Sequence, residues 1–167
     1  PAVEYGLDAP FSVEYHDAIE STNARARALA ADGAADVVVL ADEQTGGRGR
    51  LDRAWSSPSG GAWLSILLRP DLPPAAVPVL TLAAGVATVR AVGSVGVDAS
   101  LKWPNDVLVP APDGTGDELK LAGILTEMAG EADRTAWVVV GIGLNANVDE
   151  FSLPGGATSL RAIVGDI

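Results

Sequence analysis

The stretch "SLKWPNDVLVPAPDGTGDELKLAGILTEMAGEADRTAWVVVGIGLN", residues 100–145, decides the fold. Its first part, "SLKWPNDVLVP" (100–110), reads as two short strands broken at Pro104, since proline has no N–H to contribute to a ladder. "LKLAGILTEMA" (119–129) and "RTAWVVVGIGLN" (134–145) are longer apolar runs bounded by polar residues, and read as strands. Between them lie the solvated loop "APDGTGDE" (111–118) and the four residues 130–133. A parallel crossover needs a dozen residues or more, so these joints form hairpins.

Working towards the N-terminus, "AWLSILLRP" (62–70) is a strand ended by Pro70, and "DVVVLADEQ" (36–44) is a buried strand. "IESTNARARALAADG" (19–33) is an alanine-rich helix with Ser21 or Thr22 as N-cap and Gly33 as its stop. A second helix, about Ala75 to Val92, follows Pro73 and Pro74, and "ATSLRAIVGDI" (157–167) begins a third. This order predicts an α+β fold: a mixed, largely antiparallel sheet with helices packed on one side of it. No repeat or linker divides the chain, so residues 1–167 are expected to be one domain.

Composition closes several reaction classes. There is no cysteine among 167 residues, so disulfides and thiolate metal sites are out of reach. The lone His16 argues against a histidine-built zinc site or a Ser-His-Asp triad. A net charge of -11 argues against nucleic acid or an anionic membrane as partner. The apolar run Val79 to Val89 stops at Arg90, too short to cross a bilayer, and reads as a buried helix. No signal peptide is visible in a chain that opens on Pro1, and a cytoplasmic location is the expectation. Only Lys102 and Lys120 stand against nine arginines, a balance that fits adaptation to high salt or a GC-rich coding bias equally.

Four stretches carry chemistry. In "EQTGGRGRLDRAW" (43–55), Arg48, Arg50 and Arg53 sit among Gly46, Gly47 and Gly49. Guanidinium groups pair with phosphate or carboxylate, and glycines let backbone N–H groups approach an anion, although an exposed turn would look similar. In "LKWPNDVLV", turn chemistry accounts for Pro104, Asn105 and Asp106 but leaves Lys102 unexplained. In "ELKLAGILTEM", Gly123 inside a strand marks a close approach, with Lys120 three residues before it. A solvated Lys120 at a bulge is the bland alternative. In "VVVGIGLNANVD", Gly141, Gly143 and Ala146 mimic a dinucleotide fingerprint, but Asn147, Asp149 and Pro154 contradict the helix that should follow.

Together, "STN", "EQTGGRGRLDRAW", "KWPND", "KLAGIL" and "GIGLN" resemble the catalytic domain of biotin–protein ligases, in order and over about residues 15–149. The resemblance implies a fold like that of class II aminoacyl-tRNA synthetases, with ATP, biotin and Mg²⁺ as ligands. It implies ATP-dependent formation of biotinyl-5′-AMP and transfer of biotin to a lysine of a carboxylase's biotin carrier domain, with a homodimer as a further expectation. Lipoate or other acyl-adenylate transfer on the same fold, and a non-catalytic biotinyl-AMP sensor, are the alternatives.

By the same resemblance, Ser21, Thr22, Gln44, Gly47 and Arg48 would hold the ureido ring, and Gly123, Leu125 and Gly141 would line the biotin pocket. Arg48 and Arg50 would close the loop, with Lys120 bridging the biotin carboxylate and the α-phosphate. Lys102 would meet phosphate, Trp55 would cover the adenine, Asn105 and Asn145 would contact the adenylate, and Asp106 would face Mg²⁺. Asp52 stands where the family commonly has another glycine, which should stiffen the loop. "APDGTGDE" is longer than the usual connection. The family's further C-terminal helix and small β-domain, and the N-terminal helix-turn-helix of some members, are not expected within this chain.

Overall fold

The structure is a computed structural model that describes residues 11–112 and 114–165. Among the described residues there are seven strands: β1 (Ser12–Ile19), β2 (Val37–Gln44), β3 (Ala62–Leu68), β4 (Ser100–Lys102), β5 (Asp106–Pro110), β6 (Glu118–Gly130) and β7 (Thr135–Leu144). Three α-helices accompany them: α1 (Thr22–Ala31), α2 (Pro78–Ser94) and α3 (Leu160–Val164). The strands form one sheet in the order β1-β2-β3-β7-β6-β5-β4. Only β1 and β2 run parallel; every other neighbouring pair is antiparallel. The mixed, largely antiparallel sheet is thus the one expected from the short joints.

Two features differ from expectation. β1 is absent from the sequence reading, yet with α1 it makes a parallel β-α-β unit at the sheet edge. Its "SVEYHDAI" mixes exposed and half-buried positions, so no clean apolar alternation marks it. The helices also cover both faces rather than one. Val139 of β7 packs with Ala26 and Ala30 of α1 and with Val37, Val39 and Leu67. Its neighbours Val138 and Val140 pack with Val77, Leu80, Ala84 and Val89 on the α2 side. Successive strand residues point to opposite faces, so α1 and α2 lie on opposite sides of the sheet.

α1 starts as expected, with the Ser21 side chain accepting from the Ala24 N–H. α2 is a surface helix rather than a buried one. Gly85, Thr88 and Val92 are buried, whereas Val79, Leu82 and Val86 are exposed. By length and composition Pro74–Ser94 would be able to cross a membrane. Here one side of it packs against the sheet, and Gly85 leaves room for the Leu101 side chain. The expectation of no N-terminal helix-turn-helix partly concerns residues 1–10, which lie outside the described residues, as do the last two residues of the 157–167 tail.

Candidate active site

The pleat of the sheet builds the site. On the α1 face, cross-strand pairing aligns rows of residues. Leu67 pairs with Val139, and Val139 with Glu127; Ser65 pairs with Gly141, and Gly141 with Leu125; Trp63 pairs with Gly143, and Gly143 with Gly123. The first row begins in the apolar core under α1. In the next two, glycine replaces the side chains that would fill the same layer. A Cβ on Gly141 would lie 2.1 Å from Asn23 Oδ1, and one on Gly143 would lie 2.6 Å from Trp55 Nε1. The two glycines of "GIG" therefore make room for a pocket inside a strand, not for a phosphate-binding turn.

The result is a cavity of about 440 Å³, between the start of α1, the 48–55 loop and strands β6 and β7. Ser21, Thr22, Gln44, Arg48, Arg50, Trp55, Asn105, Asp106, Lys120, Gly123, Leu125 and Gly141 all line it. Gly47, in the loop itself, does not line it: a Cβ there would meet Trp55 O at 2.5 Å and Ser57 Oγ at 2.6 Å. Lys102 and Asn145 do not line the cavity either. Lys102 is exposed on β4. Asn145 is buried, its Nδ2 donating to Thr158 O, and its Oδ1 has no partner.

One end of the cavity is polar and neutral. The Thr22 N–H donates to Gln44 Oε1 at 2.8 Å, while Gln44 Nε2 donates to Ser57 Oγ at 2.9 Å. These bonds fix which way the Gln44 amide faces. The other end is cationic. Lys120 Nζ lies 2.6 Å from Asp106 Oδ1 and 5.0 Å from the centre of the Trp55 ring. Arg50 Nη1 donates to Asn105 Oδ1 at 3.3 Å, and Asn105 Nδ2 donates to Ile124 O at 2.9 Å. Arg50 and Lys120 thus meet adjacent residues, although they lie on different elements seventy positions apart in sequence.

A bulge aims Lys120. Asp106 pairs with Gly123 and Val107 with Ala122, but Leu108 pairs with Lys120, so Leu121 is the extra residue of β6. Leu121 and Ala122 are both buried in the clusters on the α2 face. The extra residue turns Lys120 to the face that carries Gly123, where plain alternation would point it away. The bulge of the bland reading exists, but it places the ammonium group in the cavity. Trp55, expected over an adenine, lies against Gly123 and Gly143 in this same cavity, with its Nε1 buried and unpartnered.

Asn23, Ser57, Ser65 and Glu127 were not singled out by the sequence reading. Ser65 is fully buried, as are Trp63 and Leu67 two residues to either side on β3. A hydroxyl at an inward position of an apolar strand was the available signal. Asp106 is the only acidic group at the cationic end, and no cluster of three potential metal ligands exists among the described residues. One carboxylate already paired with Lys120 does not make a protein-built magnesium site. Magnesium commonly arrives on nucleotide phosphates, and no step is assigned to it.

A mixed sheet whose pocket is polar at one end, cationic at the other and roofed by a glycine-arginine loop fits an acyl-activating ligase. The chain belongs to the biotin/lipoate A/B protein ligase family, whose family model matches residues 15–145. It is 42% identical over 159 residues to the "Bifunctional ligase/repressor BirA" of Bacillus subtilis, covering 91% of this chain and 47% of that protein. It is 41% identical over 148 residues to the "Biotin--[acetyl-CoA-carboxylase] ligase" of Mycobacterium tuberculosis, covering 84% of this chain and 51% of that one. The structure resembles the biotin protein ligase of Aquifex aeolicus solved in complex with biotin and ATP. That match has a TM-score of 0.73 and 32% identity, and covers 93% of this chain and 62% of the other. The chain spans about half the length of these two curated relatives.

Proposed function

We propose that this chain is a biotin-ligase catalytic domain that forms biotinyl-5′-AMP from biotin and ATP and passes the biotinyl group to a lysine of a carboxylase's biotin carrier domain. The observation that carries the reading is that Thr22 and Gln44 line the same cavity as Arg50, which donates to Asn105, and Lys120, which pairs with the adjacent Asp106. A ligand with a polar neutral head and a carboxylate tail matches that polarity along its length.

The chemical difficulty is charge. A carboxylate must attack an α-phosphorus whose oxygens are already negative, expelling pyrophosphate. Cationic groups at the meeting point of the two anions lower the repulsion and stabilise the charge that develops. Lys120 is assigned to bridge carboxylate and α-phosphate, Arg50 to the phosphate, and Arg48 to holding the loop closed. Fixing both reactants in line supplies much of the remaining acceleration. The acceptor amine then attacks the carbonyl of the mixed anhydride and AMP departs. No enzyme nucleophile is required, in keeping with a chain that lacks cysteine. Closure of the 46–54 loop would keep water from the anhydride meanwhile.

Trp55 and Asn105 are assigned to the nucleotide side, where Trp55 would have to leave its seat on Gly123 and Gly143 to cover an adenine. Lys102 and Asn145 would reach a nucleotide only beyond the cavity walls.

ATP–pyrophosphate exchange measured separately with biotin, lipoate and octanoate tests the reading. Exchange is expected with biotin alone; exchange with lipoate or octanoate but not biotin would reject it. Lys120→Ala should lower biotin-dependent exchange by about 10²–10³-fold. Lys120 is half-exposed, so the fold should survive the change. Full exchange activity in that variant would remove Lys120 from its role.

A further inference from the structure

Behind Thr22 runs a line of polar side chains whose proton directions can be worked out from one end. Arg27 Nη1 donates to Glu127 Oε1 at 2.8 Å, and Asn23 Nδ2 donates to Glu127 Oε2 at 2.7 Å. The same Asn23 nitrogen is 3.4 Å from Leu125 O. An ionised carboxylate and a backbone carbonyl only accept, so the NH₂ end of the Asn23 amide must face them. Its oxygen therefore faces Ser65.

Ser65 is fully buried and has one proton to give. Its Oγ lies 2.6 Å from Asn23 Oδ1, which has none, and 2.8 Å from Thr22 Oγ1. The Ser65 proton goes to Asn23. The contact with Thr22 then needs a proton from Thr22 itself. The competing acceptor, Gln44 Oε1, is further away at 3.1 Å and already takes the Thr22 N–H at 2.8 Å. Sending the Thr22 proton there would leave two hydroxyl oxygens face to face with nothing between them.

We propose that Arg27, Glu127, Asn23 and Ser65 form a one-way hydrogen-bond chain that holds the Thr22 hydroxyl as an acceptor towards the cavity. Ser65, Asn23 and Glu127 are thereby positioning residues that make the site select a ligand N–H. The inference rests on reading the cavity as a biotin site. A ureido ring supplies such an N–H; a dithiolane ring or an alkyl chain does not. A ligand oxygen at the same point would meet lone pairs and remain unpaired, which a buried polar site discriminates against strongly. Each link also polarises the next, from the Arg27–Glu127 ion pair inward. Gly141 belongs to the same device, since any side chain there would strike Asn23 Oδ1.

The test is calorimetric. Dissociation constants are measured for biotin and for two cyclic carbamate analogues, each with one ureido N–H replaced by oxygen. The wild-type chain should prefer biotin to one of the two by about a hundredfold. Ser65→Ala frees the Thr22 hydroxyl to turn, and should cut that preference by about tenfold while leaving the KM for ATP unchanged. Ser65→Thr, which keeps a hydroxyl, should restore it. Glu127 does not line the cavity, and Glu127→Ala leaves only the longer contact to Leu125 O to orient the Asn23 amide, so it should weaken the same preference even if Ser65→Ala does not fold. Wild-type preference in folded Glu127→Ala and Ser65→Ala proteins would overturn the chain of bonds. Absence of biotin binding by the wild-type protein would instead overturn the biotin reading, and this inference with it.

Discussion

Asp52 shows how a single residue shapes the loop. Leu51 and Asp52 both adopt left-handed backbone conformations, with φ of 57° and 55°. Such a conformation costs a non-glycine residue about 1 kcal/mol, and aspartate tolerates it better than leucine does. The family resemblance places a glycine at position 52, which matches the conformation found there. Asp52→Gly should relieve this local strain, add flexibility in the unfolded chain and remove a negative charge beside Arg50 and Arg53. The two backbone effects oppose each other, so the melting temperature should move by no more than a few degrees. Biotinyl-AMP dissociation, followed by stopped flow, should change more. Glu14 is a second case. The Arg25 guanidinium, and secondarily His16, hold its carboxyl below the ordinary carboxylate value against the opposing effect of burial. A depressed pKa in the folded state contributes stability above the unfolded value and loses it as pH falls through the folded one. Glu14→Gln should therefore cost about 0.5 kcal/mol at neutral pH and almost nothing at the acid end of that window. Urea titrations at both pH values would show it.

Among the elements, β7 does two jobs along one strand. Val139 seals the core under α1, and two residues later glycine opens the cavity. The two glycines should respond differently to a methyl group. At Gly141 the obstacle is Asn23, anchored at both ends of its amide and mounted on α1, so Gly141→Ala should cost about 1–3 kcal/mol in denaturant unfolding. At Gly143 the obstacle is the Trp55 indole on the loop side of the cavity, which can swing away. Gly143→Ala should leave stability nearly unchanged while altering tryptophan fluorescence and weakening ligand binding. Equal losses of stability at both positions would contradict this picture. The β6 bulge belongs to the same scale, because the position of one extra residue decides whether Lys120 serves the cavity or the opposite face.

Across the whole molecule, the charge of -11 is a force as well as a composition. Self-repulsion opposes compactness, and at about 1 M salt the Debye length is about 3 Å, so this opposition is screened while contact pairs such as Lys120–Asp106 persist. Raising KCl from 0.1 to 1 M should increase the melting temperature, and the KM for ATP should rise less than for a site that relies on long-range steering. A falling melting temperature would count against adaptation to salt.

The class of fold and most strand limits were legible in the linear chain, and twelve residues named from the family resemblance line the cavity, though their roles are a matter of proposal. Short joints dictate hairpins, proline and glycine punctuate the strands, and the motif residues are unusual in type for their surroundings. β1 was not legible, because its partly exposed pattern acquires meaning only from pairing with β2. The placement of α1 and α2 on opposite faces was decided by which rows of the pleat each helix covers, a property of the assembled sheet. The seat of Trp55 and the directed bonds through Ser65 and Asn23 were equally beyond sequence. They depend on proton directions and ångström distances between residues far apart in the chain, which folding alone brings together.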